Sequence, residues 1–230
     1  MISIYEIFPT IQGEGSKAGV PSVFLRLAGC NLWSGYEKGR KAGKGTCSEW
    51  CDTLFMPGVK HSPQEVAEMV FEVADSSGIS QSKKWMVVIT GGEPCLQLKR
   101  KAGIELLRLL NEQCTIAIET NGTISVTPEM REFIDHITVS PKPIKSNPTS
   151  IDHIVVKEAT DLKVTVPSPW SNENLKEMGS WKFDYRYLQP IDPGEDKEEE
   201  QIAHLNECID LASALGWRLS VQTHKLIGLP

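Results

Sequence analysis

Short apolar runs of strand type alternate with amphipathic helical segments along most of the 230 residues, and this alternation restricts the fold more than any other feature. The strand-like runs are Ile2 to Phe8, Pro21 to Leu27, Trp85 to Thr90, Cys114 to Glu119, Ile137 to Ser140, Leu162 to Val166, Tyr185 to Leu188 and Trp217 to Gln222. Between them lie helical patterns. Ser62-Pro63-Gln64-Glu65 is a capping box with proline at the first helical position, and it opens a helix bearing Val66, Met69, Val70 and Val73. Further helices carry Ile104, Leu106, Leu107, Leu109 and Leu110, start at Thr127-Pro128, or carry Ile202, Leu205, Ile209, Leu211 and Leu215 behind the acidic start Glu195 to Glu200. Strand–helix alternation predicts an α/β fold with a mostly parallel sheet. About six such units are too few for a closed eight-fold barrel, so a partial, open β/α barrel or a doubly wound sheet is expected, in one domain spanning residues 1–230.

In such folds the functional groups gather at the carboxyl ends of the strands. The unusual residues of this chain fall there: Cys30 onward, Gly91-Gly92-Glu93, Glu119-Thr120-Asn121, Ser140-Pro141-Lys142, Gln189 and Gln222-Thr223-His224. The segment from Cys30 to about Val59 is long and irregular, and loops of that length in compact domains usually carry function. A net charge of -6 argues against a nucleic-acid partner. No stretch is apolar enough for a bilayer, and the start Met1 to Glu6 lacks a secretion signal, so no membrane partner and a cytoplasmic location are expected. In a reducing cytoplasm the six cysteines are not a disulfide framework. Cys114, within an apolar run, reads as a small core residue.

Cys30, Cys47 and Cys51 share one loop after a strand. Three readings are open: an iron–sulfur cluster held by three thiolates, a zinc site, or free cysteines. A closed structural zinc site needs four ligands, and the nearest histidine to this loop is His61. Three thiolates on a four-iron cluster leave one iron open to a small molecule. Gly91-Gly92-Glu93-Pro94, directly after a buried-type strand, is either a tight turn or a place where bare backbone meets a ligand.

Together, the cysteine loop and the Gly-Gly-Glu-Pro turn resemble the radical S-adenosylmethionine superfamily. Within it, the chain resembles the 7-carboxy-7-deazaguanine synthase family along nearly its whole length. The matching segments are Tyr5 to Gly15, Phe24 to Trp33, Cys51 to Thr53, Thr90 to Pro94, Ile118 to Gly122, Ser140 to Lys142, Leu188 to Pro190 and Leu219 to Lys225. The superfamily's usual Cys-x3-Cys-x2-Cys spacing is absent: sixteen residues separate Cys30 from Cys47 and three separate Cys47 from Cys51. Some family members widen the first gap, and Asn31 to Gly35 is similar to theirs. The cluster-binding loop would then span about residues 28–59. Cys95 is a poor substitute ligand, because it follows Pro94 on a different loop.

The resemblance implies conversion of 6-carboxy-5,6,7,8-tetrahydropterin into 7-carboxy-7-deazaguanine, a precursor of queuosine and other 7-deazapurines, by ring contraction with loss of ammonia. It implies a [4Fe-4S] cluster on Cys30, Cys47 and Cys51 whose open iron chelates S-adenosylmethionine. Electron transfer would then release a radical that takes hydrogen from carbon 6 of the pterin. S-adenosylmethionine would lie against Gly92, Glu93, Ser140, Pro141, Lys142, Gln189, Pro190, Ile191 and Asp192, with Trp50 and Asp52 flanking its adenine. The pterin would be held by Ile11, Gln12, Gly13, Glu14, Arg26, Thr90, His224 and the terminal carboxylate of Pro230, and Mg2+ by Thr53. No protein side chain is assigned a catalytic role beyond the cofactor-derived radical. The family is usually homodimeric. The basic run Lys38, Arg40, Lys41 and Lys44 is either a solvated loop or a dock for an acidic electron donor such as flavodoxin. Competing readings are another radical enzyme, such as a glycyl-radical activase, and a zinc-stabilised binding module.

Overall fold

The computed structural model describes residues 1–36, 38, 47, 53–81, 85–194 and 196–229. Its strands are β1 (Ile2–Ile11), β2 (Pro21–Leu27), β3 (Val59–His61), β4 (Met86–Gly91), β5 (Thr115–Thr120), β6 (His136–Val139), β7 (Glu158–Val166), β8 (Lys182–Pro190) and β9 (Arg218–Leu219). They form one sheet in the order β3-β1-β2-β4-β5-β6-β7-β8-β9. The β1–β2 and β1–β3 pairs are antiparallel, and every pair from β2 to β9 is parallel. The result is the expected mostly parallel, open α/β sheet. Pro9 sits in β1 opposite Val23, beyond the short stretch Ile2 to Ile4 that β3 pairs.

The two faces of the sheet differ in chemistry. On one face Val23, Leu25, Leu27, Val87, Ile89, Ile116, Ile118, Ile137, Val139, Leu162, Val164, Val166 and Leu188 belong to a single core that helices cover. These helices are α1 (Pro63–Ser76), α2 (Cys95–Leu98), α3 (Lys101–Asn111), α4 (Pro128–Arg131), α5 (Asn172–Ser180) and α6 (Glu198–Leu215); a last turn, α7 (Thr223–Leu226), ends the chain. The α1 capping box forms as the sequence predicts, with Ser62 Oγ accepting from Glu65 N at 3.2 Å and Glu65 Oε2 accepting from Ser62 N at 2.6 Å. That helix buries Val66 and Val70 together with Ala67 and Ala74, while Met69 and Val73 pack at its margin.

Because strand side chains alternate, the other face carries the intervening residues. It is apolar at the amino end, with Met86, Val88 and Ala117 packed beside Val20 and Phe24. Toward the carboxyl ends it turns polar: Arg26, Thr90, Glu119, Thr138, Asp161, Lys163 and Gln189 follow one another across the paired strands. This is the face a ligand would meet.

Three elements differ from expectation. Helix α5 has its own capping box, Ser171 with Asn174, but buries only Leu175 and Met178, too little apolar period to stand out in the sequence. β3 is a three-residue edge strand where the long loop ends. The last strand is shorter than expected, Arg218–Leu219: Ser220 N still donates to Leu188 O at 2.8 Å, and beyond it the side chains of Ser220 and Gln222 bond Gln189 and Glu14.

Gln97 on α2 ties β1 to the loop after β2. Its Nε2 donates to the carbonyls of Ser3 and Ala28, each at 2.9 Å, and its Oε1 accepts from Ser3 N at 2.7 Å. Gln97→Ala should lower stability by about 2–3 kcal/mol by removing the partner of Ser3 N and of the Ala28 carbonyl, while Ser3 O keeps its bond from Ala28 N. An unchanged urea midpoint would show that water replaces them at no cost.

Candidate functional site

The chain reaches the site by a backbone contact that only glycine permits. Gly91, at the end of β4, has φ +123°, and a Cβ there would lie 2.1 Å from the Leu27 carbonyl oxygen. A Cβ on Gly92 would lie 2.1 Å from the Gly29 oxygen and 3.0 Å from Cys30 Cβ. Gly92 N donates to Leu27 O at 3.2 Å and Glu93 N to Gly29 O at 2.9 Å, so the turn and the start of the cysteine loop are laced together.

Glu93 is 1% exposed, and its carboxylate is used inside the protein. Oε1 accepts from Cys95 N at 3.0 Å and Thr120 Oγ1 at 2.8 Å, and Oε2 from Asn121 N at 2.8 Å. Burial pushes its carboxyl above the usual range despite these donors. Its side chain therefore brackets the β4 and β5 ends, and any cofactor would meet its backbone. A second bracket runs through Asn31, directly after Cys30: it accepts from Asn121 Nδ2 at 3.1 Å and donates to Thr123 Oγ1 at 2.8 Å.

Cys30 and Cys47 meet in a small core of their own. Leu32, Trp33, Cys47 and Phe55 are buried together, with Cys30, Met56 and Ile144 packed against them, and Trp33 meets Phe55 edge-on at 5.4 Å. A hydrogen bond from the Cys47 thiol is the largest influence on Cys30; with backbone N–H groups of Leu32 and Trp33 it outweighs burial and brings the Cys30 thiol down to about 7. Leu32 N lies 3.4 Å from its sulfur. A pair of sulfurs ringed by N–H donors suits thiolate ligation of an iron–sulfur cluster. By contrast, Cys95 is fully buried in the main core and its thiol is pushed up by that burial. Thr53 is half-buried beside this loop; Trp50, Cys51, Asp52 and Pro230 lie outside the described residues.

Next along the strand ends come Ser140, Pro141 and Lys142. Ser140 N donates to Thr120 O at 2.8 Å, Lys142 Nζ to Ser140 Oγ at 2.9 Å, and the His153 ring meets the Lys142 carbonyl at 2.8 Å. Pro190 ends β8 half-buried; beyond it Ile191 N donates to Val166 O at 2.7 Å and Asp192 pairs with Lys225 at 2.8 Å.

The glycine-rich turn after β1 folds over the polar face. Gln12 is buried and donates to Glu119 Oε1 at 3.1 Å, while Thr90 Oγ1 donates to Glu119 Oε2 at 3.2 Å. Glu14 Oε1 accepts from Gln189 at 2.9 Å and Gln222 at 2.8 Å, and Oε2 accepts from Lys163. Burial alone would raise the Glu14 carboxyl, but the Lys163 ammonium and the two amides hold it well below the carboxylate range. Ser16 is clamped through N and Oγ onto Asp161, each at 2.9 Å, and Asp161 also meets buried His136 at 3.3 Å. The His224 ring packs against Gly13, where a Cβ would fall 1.8 Å from its Nδ1; burial lowers its basicity, and Glu14, Glu119 and Lys163 all act on it. Ile11 ends β1 half-buried. Arg26 pairs through Nε with Glu6 at 2.6 Å and lies over the Phe8 ring.

Proteins of known activity match this chain from end to end. The 7-carboxy-7-deazaguanine synthase of Caulobacter vibrioides is 37% identical over 230 residues, and those of Bordetella pertussis and Burkholderia multivorans are each 36% identical; each match covers 99% of both chains. The crystal structure of QueE from Escherichia coli superposes with a TM-score of 0.65 at 27% identity, covering 97% of this chain and 94% of that one. No family model matches the chain. The chain belongs to the 7-carboxy-7-deazaguanine synthase family.

Against the roles carried over from the family, the geometry brings Gln12, Glu14, Thr90 and His224 around one polar face, and Cys30, Cys47 and Gly92 beside one another. Arg26 stands at the edge of the same face, with its Nε already paired. Sequence reasoning missed Lys163, Asp161, His136 and Asn31. A signal existed for the β7 pair: in Asp161-Leu162-Lys163-Val164 charged residues alternate with apolar ones at and just before the start of an expected strand.

Glu14 gives a pH prediction. Its folded value lies below the ordinary 4.5, so its tether is fully present above that pH and is lost as pH falls toward about 2. Across this window the urea midpoint of the wild type should fall more steeply than that of Glu14→Gln. Parallel slopes would mean that Glu14 titrates normally in the folded protein.

Proposed function

We propose that this chain binds a [4Fe-4S] cluster and S-adenosylmethionine, and converts 6-carboxy-5,6,7,8-tetrahydropterin into 7-carboxy-7-deazaguanine with loss of ammonia. The observation that carries this reading is the full-length match to the synthases, in a chain whose polar sheet face adjoins the Cys30–Cys47 pair. When bound, the cluster and S-adenosylmethionine supply an electron and a hydrogen-abstracting radical. What remains for the protein is to bind, orient and exclude water.

Cys30 and Cys47, with Cys51, are the cluster ligands in this reading. Gly92 offers bare backbone to S-adenosylmethionine, as do Glu93 and Gln189, whose side chains are used elsewhere. Ser140, Pro141, Lys142 and the segment from Pro190 to Asp192 complete the cofactor wall, and Trp50 and Asp52 flank the adenine. Gln12, Glu14 and Thr90 offer hydrogen bonds to the pterin, whose ring presents several N–H groups. Arg26 holds Glu6 through Nε, and its terminal nitrogens can take the substrate carboxylate as a fork. His224, from the C-terminal segment, closes the site on that side. Thr53 would offer one oxygen to Mg2+, an ion that takes oxygen ligands. A cytoplasmic homodimer reduced by an acidic donor such as flavodoxin completes the proposal.

The test is anaerobic reconstitution with iron and sulfide, then incubation with dithionite, S-adenosylmethionine, Mg2+ and 6-carboxytetrahydropterin, with product read by mass spectrometry. Wild type should form 7-carboxy-7-deazaguanine and Cys30→Ala none. Cleavage of S-adenosylmethionine without product would keep radical chemistry and remove this substrate, as a glycyl-radical activase requires.

A further inference from the structure

Lys163 takes none of the roles carried over from the family, yet it is among the most unusual residues of the fold: a lysine on a central strand, 6% exposed. A charged group this deep needs a partner, because removing an ion from water without compensation costs several kcal/mol. Its partner is Glu14, equally withdrawn, with side-chain exposures of 7% and 11% for the two. They are distant in sequence: Lys163 lies in the middle of β7, and Glu14 on the glycine-rich turn after β1. One inner-face position earlier on β7, Asp161 grips Ser16 through two hydrogen bonds, leaving no room for a Cβ on Gly15, which would lie 2.6 Å from its Oδ2.

We propose that Lys163 is a positioning residue: it holds the Glu14 carboxylate in place as a hydrogen-bond acceptor for the pterin, while Asp161 pins the same turn through Ser16. This rests on the pterin reading given above. A carboxylate has about four acceptor sites and, once ionised, no donor. Among the described residues three donors reach the Glu14 carboxylate: Lys163 at Oε2, and Gln189 and Gln222 at Oε1. The remaining capacity suits one N–H of a heterocycle. A protonated Glu14 would present an O–H there and repel the same N–H. The groups that bear on Glu14 come from several elements: Lys163 from β7, Gln189 from β8, and Gln222 with His224 from the C-terminal segment, while the carboxylate of Glu119 on β5 faces the same His224 and Asp161 on β7 holds Ser16 of the same turn. Lys163 is the cation placed directly on the carboxylate. The ionised state of Glu14 near neutral pH therefore depends on it.

The test uses the reconstituted full-length enzyme with Lys163→Met, Lys163→Arg, Glu14→Gln and the Glu14→Gln/Lys163→Met double variant. We measure KM for 6-carboxytetrahydropterin against pH, the substrate-free cleavage of S-adenosylmethionine and the thermal midpoint. Lys163→Met should raise KM by about tenfold or more, equivalent to about 1.4 kcal/mol. Its KM should worsen further as pH falls through neutrality, while substrate-free cleavage stays within about twofold of wild type. Lys163→Arg should recover most of the loss, and in the Glu14→Gln background Lys163→Met should add little. An unchanged KM and pH profile in Lys163→Met overturns the inference, as does an equal KM increase in both backgrounds. Should Lys163→Met fail to fold, the double variant, which carries no lone buried charge, should melt higher than it, and Lys163→Arg then decides on KM. A wild type that makes no product removes the pterin reading and this inference with it. A productive wild type beside an unaffected Lys163→Met removes the inference alone.

Discussion

Two backbones pass each other at the ends of β2 and β4 with no side chain between them, and the site is built outward from that contact. Gly91 and Gly92 have no Cβ to collide with Leu27 and Gly29, so the two strand ends stay hydrogen-bonded up to the start of the cysteine loop. The cysteine loop therefore starts against the turn that offers its N–H and C=O groups outward. Glu93 and Asn31 extend this lacing to the end of β5, each spending its side chain on neighbouring loops. Fixed loop ends matter here, because radical chemistry demands that reacting atoms be held within a narrow range of separation.

The sheet divides its labour by face. One face is continuous apolar packing under the helices, which sets stability. The opposite face becomes polar toward the carboxyl ends, and this polarity is sustained by partners that are far away in sequence: Glu14 with Lys163 and Gln222, Gln12 with Glu119, Ser16 with Asp161. Each of these groups would be costly alone in a buried place and is acceptable only in combination. The glycine-rich turn, the middle of β7 and the C-terminal turn thus depend on one another, although no pair of them is contiguous.

Much of the fold was legible because the alternation of strand and helix patterns is strong and because caps such as Ser62–Glu65 act locally. Helix α5 escaped because Leu175 and Met178 alone carry its buried side. The final strand read too long because apolar and aromatic residues around Trp217 to Val221 look β-like, whereas Ser220 and Gln222 are drawn inward by Gln189 and Glu14. At the site, motif-bearing residues such as Cys30, Gly92 and Gln12 stood out. Lys163, Asp161 and Asn31 did not, since their significance lies in partners about 90 to 150 residues away that only the folded sheet brings near. Cys47 lies between these cases: its spacing departs from the superfamily's, and it is the small core with Trp33 and Phe55 that sets it against Cys30.

That pairing makes Cys47 the place to test the account. Iron and acid-labile sulfide should be counted in anaerobically reconstituted wild type, Cys47→Ala and Cys95→Ala. The account predicts about four irons per chain in wild type and in Cys95→Ala, and a large loss of both elements in Cys47→Ala. A Cys47→Ala protein with the full wild-type complement of iron would contradict it.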